Sequence, residues 1–133
     1  MTEIIDKIAW IAVAEGRVLG ARSKGKDTYY FPGGKREPGE TDTETLVREV
    51  KEELSVDILP DTVSLFGTFE AEAHGKAEGV RVKMTCYTAD YIGDLTPESE
   101  IEDIAWLAFK DREQLSAVSR IIFDRLHEMK LLW

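Results

Sequence analysis

The stretch Gly33–Val56, GGKREPGETDTETLVREVKEELSV, decides how the rest of the chain is read. Thr41 followed three residues later by Glu44 matches a capping box, in which each side chain satisfies an orphan backbone N–H. The pattern predicts a helix over 42–54. At about 100° per residue, with Leu46 as zero, Val50, Leu54 and Val47 fall at roughly 40°, 80° and 100°. Glu52, Glu49 and Glu53 fall at roughly 240°, 300° and 340° on the same wheel. An apolar stripe therefore faces a core, and three carboxylates line the arc beside it. Such like-charge neighbours cost an isolated helix roughly 0.2–0.5 kcal/mol per pair. A hard divalent cation, which prefers oxygen ligands, removes that repulsion. Relief by Arg48 and Lys51 on a solvated acidic face is the competing account, and the helix alone does not separate the two.

Upstream, Ile4–Ala14 (IIDKIAWIAVA) reads as a strand, Glu15-Gly16 as a turn, and Arg17–Arg22 as the returning strand of a hairpin. Thr28–Phe31 is a short aromatic strand stopped by Pro32-Gly33-Gly34. The two glycines let backbone approach a ligand closely, and a carbonyl here can meet a metal. Glu40 lies near the helix N-terminus, where an acid is favoured in any case. Downstream, Val63–Ala73 and Val80–Ile92 read as two strands of a hairpin whose tip carries His74, and Ile104–Phe109 as a further strand. From Arg112 to Leu132, the residues Leu115, Val118, Ile121, Ile122, Leu126 and Met129 recur at helical spacing and predict an amphipathic closing helix. The expectation is one mixed α/β domain over residues 1–133, with helices packed on strands.

The 133 residues suffice for a core without disulfides. Cys86, the sole cysteine, sits in an apolar strand and reads as a small buried hydrophobe. No apolar run approaches the roughly 18 residues of a membrane helix, and the first residues lack the pattern of a secretory signal. A cytoplasmic protein without membrane contact is expected. The 26 acids against 17 bases give a formal charge of −9, which disfavours long nucleic acid and suits divalent cations. A homodimer through an edge strand or the terminal helix is compatible with the sequence.

The 33–56 stretch resembles the Nudix box, G-x5-E-x7-R-E-U-x-E-E-x-G-U, with U a bulky aliphatic residue. Gly34, Glu40, Arg48, Glu49, Val50, Glu52, Glu53 and Val56 stand at the required positions. Ser55 departs, occupying the place of the last glycine, a helix C-terminal position with positive φ. The resemblance implies an α/β/α sandwich with a mixed β-sheet and a hydrolase of diphosphate linkages in nucleotide-like molecules.

It also implies Mg²⁺ or Mn²⁺ bound by Glu49, Glu52 and Glu53, with the Gly33 carbonyl as a further ligand. Glu100, in the acidic segment before Trp106, is the candidate additional acid. Arg48 would hold the glutamates by ion pairing, and Glu49 and Glu53 are both candidate general bases. Phosphate contacts fall to Arg22, Lys24 and Lys35, each otherwise a solvated charge, and Tyr30 is a candidate for stacking on a base. The signatures of the NADH, ADP-ribose and dinucleoside-polyphosphate branches are missing, which favours a small-molecule nucleoside triphosphate as substrate. An inactive Nudix fold serving as nucleotide sensor or protein-binding module is the alternative, and the intact glutamates weigh against it. Isopentenyl-diphosphate isomerisation needs a cysteine upstream of the box, whereas Cys86 lies downstream.

Overall fold

A computed structural model of the chain describes residues 3–73 and 79–133. The chain runs through β1 (Glu3–Trp10), β2 (Val13–Ala14), β3 (Arg17–Ser23), β4 (Gly33–Gly34) and α1 (Asp42–Leu54). It continues through β5 (Asp57–Ile58), β6 (Ser64–Glu72), β7 (Val80–Thr88), β8 (Tyr91–Ile92), β9 (Ile101–Leu107) and α2 (Ala117–Glu128). The main sheet has the order β4-β1-β7-β6, with β1 and β7 parallel and the other pairs antiparallel. A second, antiparallel sheet is ordered β2-β3-β9, and β5 pairs with β8.

Alternation along β1 sorts the core into two halves. Ile8 and Trp10 pack with Leu46, Val50 and Leu54 of α1. Ala9 and Ile11 pack with Val118, Ile122, Phe123 and Leu126 of α2. The helices thus cover opposite faces of the mixed sheet, giving the α/β/α sandwich. Among the described residues, no helix is long and apolar enough to cross a membrane.

Helix α1 has the predicted bounds and both capping-box bonds. Other elements differ from expectation. The run 4–14 is not one strand, because at Ile11–Ala12 the chain leaves the main sheet and only Val13–Ala14 joins the hairpin with β3. The predicted turn is present, with Glu15 and Gly16 both at positive φ (51° and 77°), as a two-residue hairpin loop requires. Thr28–Phe31 is not a strand, making only isolated bridges at Tyr29 and Tyr30. The strand predicted to reach Ile92 stops at Thr88, and Tyr91–Ile92 crosses to β5. The strand expected from Ile104 to Phe109 runs instead over Ile101–Leu107.

The closing helix begins only at Ala117, since Phe109–Gln114 forms 3₁₀ turns. Ile121 and Met129 are exposed, with Phe123 buried in their stead. On α2, Ile121 lies roughly 130° from the centre of the buried stripe, and Met129 is already the C-cap. The tip residue His74 lies outside the described residues.

Ser55 caps α1 in the left-handed region, φ 61° and ψ 21°, and its N–H donates to the Lys51 carbonyl. A side chain in that conformation is strained. Ser55→Gly is expected to raise the unfolding free energy by up to about 1 kcal/mol, read from urea denaturation. A loss of stability would mean that the serine side chain makes a contact worth more than the relieved strain.

Candidate active site

Strand β4 consists of two glycines at the edge of the main sheet, with Gly33 opposite Ala9 and Gly34 opposite Ile8. A Cβ at Gly33, where φ is 146°, would collide with the Ile8 carbonyl oxygen. A Cβ at Gly34 would lie 2.5 Å from the Glu49 carboxyl carbon. The first absence lets β4 pair closely with β1, and the second leaves room for the Glu49 carboxylate of α1 over the sheet edge. The Gly33 N–H then donates to Glu53 Oε1 at 2.8 Å.

Glu53 is buried, at 4% exposure, with no ion-pair partner within 4 Å among the described residues. Burial pushes its carboxyl up to about 8, against the pull of the Gly33 hydrogen bond, and the charges of Glu49 and Glu100 push the same way. Glu49 is also raised, again chiefly by burial, with Arg48 opposing.

Arg48 organises the acids on its side of the helix. Its Nε and Nη2 donate to the two oxygens of Glu40 at 2.7 and 2.9 Å, a bidentate pair. Nη1 donates to Glu49 Oε1 at 2.8 Å, and Nη2 also donates to the Lys35 carbonyl at 3.0 Å. Glu40 Oε1 accepts further from Thr45 Oγ1 and from the Glu37 N–H. One guanidinium thereby fastens the loop before α1 to the helix and fixes one oxygen of Glu49. Glu40 is more than a charge set against the helix dipole.

Beside these groups opens a cavity of about 920 Å³, lined by Gly33, Gly34, Glu49, Glu53 and Glu100 together with Lys7, Tyr30 and Lys35. Glu100 is brought in by backbone pairing, because Glu98 N–H donates to the Glu53 carbonyl and Lys24 N–H to the Glu100 carbonyl. The Tyr30 hydroxyl bonds the Ser23 hydroxyl at 2.7 Å, and burial raises it to about 12.

Besides Arg48, three candidates lie off the lining. Glu52 is exposed, its nearest cation being Arg48 at 3.6 Å. Lys24 is exposed in the loop after β3. Arg22 donates to Glu102 Oε1 and to the Lys26 carbonyl and lies over the Tyr29 ring. Cys86 is fully buried and its thiol is pushed up to about 12, as expected of a core residue. Lys7 was not singled out by the sequence, since a single lysine within an apolar strand does not announce which face it joins. Among the described residues, no three His, Cys, Asp or Glu side chains stand together at ligating spacing.

The NUDIX domain family model matches residues 7–126. The chain belongs to the Nudix hydrolase family. Its fold is that of solved Nudix structures. The MutT NUDIX hydrolase from Burkholderia pseudomallei superposes with a TM-score of 0.78 at 22% identity, over 93% of this chain and 98% of that one. The E. coli ORF135 protein gives 0.76 at 23% identity, over 97% of this chain and 92% of that one. A curated relative, the RNA pyrophosphohydrolase of Halorhodospira halophila (strain DSM 244 / SL1), is 42% identical over 57 residues. That match covers 43% of this chain and 30% of the relative.

In this Nudix chain the Arg48 pair holds the Glu40 carboxyl at about 2, well below its ordinary 4.5. A carboxyl so depressed stabilises the fold fully above its ordinary value and loses that contribution as pH falls toward about 2. Glu40→Gln is therefore expected to lower the melting temperature at neutral pH, with the gap to wild type closing between about 4.5 and 2. A gap independent of pH would remove the ion pair as its cause.

Proposed function

We propose that the chain is a divalent-metal-dependent pyrophosphohydrolase that converts a nucleoside triphosphate to the monophosphate and pyrophosphate. The observation that carries this reading is the buried Glu53 carboxylate beside Glu49 and Glu100 in a cavity that also presents lysines. Carboxylates and ammonium groups in one cleft suit a ligand made of cations and phosphates together.

The donor chemistry fits Mg²⁺ or Mn²⁺. Glu53 is desolvated against neighbouring acids, and hard oxygen donors are what these ions take. Glu49, Glu52, Glu53 and Glu100, with the Gly33 carbonyl, are the residues that would hold the ion. When bound, such an ion neutralises charge on diphosphate oxygens and acidifies water.

The chain's own groups divide the remaining work. Arg48, anchored by Glu40, keeps Glu49 oriented toward the cavity. Glu49 has one oxygen held by a cation, which lowers its basicity, whereas Glu53 has only the Gly33 N–H. Glu53 is accordingly our choice of general base, taking the proton of the attacking water on its second oxygen. Tyr30, Lys35 and the walls of the cleft hold the nucleotide. Arg22 and Lys24 would reach it only from outside the lining. The charge of −9 opposes long RNA, so the activity in the name of the bacterial relative is the less favoured substrate class.

The test is hydrolysis of nucleoside triphosphates, nucleotide sugars, ADP-ribose, dinucleoside polyphosphates and a 5′-triphosphorylated RNA, with Mg²⁺, Mn²⁺ or EDTA. Metal-dependent release of nucleoside monophosphate and pyrophosphate from a triphosphate is expected. Silence across the panel with nucleotide binding retained would establish the sensor alternative instead. Glu53→Gln is expected to lower kcat by roughly 10²–10⁴-fold with the fold intact, and Glu52→Gln by a comparable factor. Near-normal turnover in both would dispose of the metal site.

A further inference from the structure

Lys7 lies on the face of β1 shared with Ala9, half-buried in the wall of the cavity. Burial lowers its affinity for a proton, and the nearby Lys35 lowers it further. Glu53, Glu100 and Glu49 pull the other way from a distance. Among the described residues no carboxylate oxygen stands within 4 Å of the Nζ of either lysine. A partly buried ammonium that lines the same cavity as a second one, without an ion-pair partner, is costly. A multiply charged anion between the two would relieve both.

We propose that Lys7, together with Lys35, seats the terminal phosphoryl group of the substrate, selecting nucleotides that end in a free phosphate over two-phosphate diesters. This rests on the pyrophosphohydrolase reading given above. A terminal phosphoryl group carries about −1.5 to −2 charge near neutral pH, whereas a phosphate inside a diester linkage carries a single negative charge. Divalent cations, if held by Glu49, Glu53 and Glu100, would balance the charge of the linkage being cleaved. A triphosphate then brings an extra dianion, and Lys7 and Lys35, two of the three lysines that line the cavity, are opposite to it in sign and equal in magnitude. A nucleotide sugar or ADP-ribose has no such group and leaves the lysines unanswered. The pair thus reads the length and ending of the phosphate chain rather than the base.

The test is calorimetric binding, in Mg²⁺, of the α,β-imido analogue of a nucleoside triphosphate and of ADP-ribose to wild type and variants. Lys7→Gln is expected to weaken the triphosphate analogue by at least tenfold and ADP-ribose by less than twofold, with Lys7→Arg restoring most of the loss. Lys35→Gln, at an exposed position that leaves the fold undisturbed, should show the same selectivity and keeps the test sound if Lys7→Gln fails to fold. Equal weakening of both ligands would make Lys7 a mere counter-charge to the glutamates and overturn the proposal. So would an unchanged affinity, or a wild type that does not bind the analogue. The substrate panel fails separately: metal-dependent cleavage without lysine-dependent selectivity removes this inference and leaves the hydrolase standing.

Discussion

Everything at the candidate site depends on how closely α1 can approach the edge of the main sheet. Two glycines shape that edge. At Gly33 and Gly34 no Cβ fits, because the space is taken by the Ile8 carbonyl on one side and the Glu49 carboxylate on the other. With a larger residue there β4 would have to part from β1, or the Glu49 carboxylate would have to move. The Gly33 N–H sits in that contact, and it is the hydrogen bond that favours the charged form of the buried Glu53 carboxyl. Helix packing, backbone hydrogen bonding and acid–base character are here a single constraint.

Around that contact the charges are arranged in two groups with different duties. Arg48 and Glu40 form a well-satisfied bidentate pair that ties loop to helix, and their energy goes into holding shape. Glu53, Glu100, Lys7 and Lys35 face the cavity without comparable partners. Of these, Glu53 and Lys7 are the ones withdrawn from solvent, where an unpaired charge lowers stability, while Glu100 and Lys35 are exposed. On the box helix itself Glu49 is neutralised by Arg48, while Glu53 keeps only the Gly33 N–H.

Legibility in the sequence followed the range of the interactions. Helix α1 was readable residue by residue because its signals are local: Thr41 and Glu44 cap it, and the stripe of Leu46, Val50 and Leu54 faces one way. The left-handed Ser55 was readable from the glycine expected there. The break at Ile11–Ala12 was not, since an uninterrupted apolar run carries no mark of where a strand changes sheets. Nor was the late start of α2, where Leu115 is buried from an extended residue after the 3₁₀ turns rather than from a helix. At the site, the spacing of Glu49 and Glu53 announced their shared face. Lys7 and the outward turn of Arg22 toward Glu102 depend on which strands become neighbours. That is long-range information.

The sharing of β1 between the two halves of the core bears on how this molecule comes apart. Ile8 and Trp10 belong to one helix and Ala9 and Ile11 to the other, on consecutive residues of one strand. Neither helix owns a core that survives without that strand, and its neighbour β7 is divided likewise, Met84 and Cys86 lying on one side and Tyr87 on the other. Peeling either helix away hydrates the back of the ribbon that anchors its counterpart. The cleft draws its walls from both faces, so it is expected to be assembled and lost together with the core as a whole.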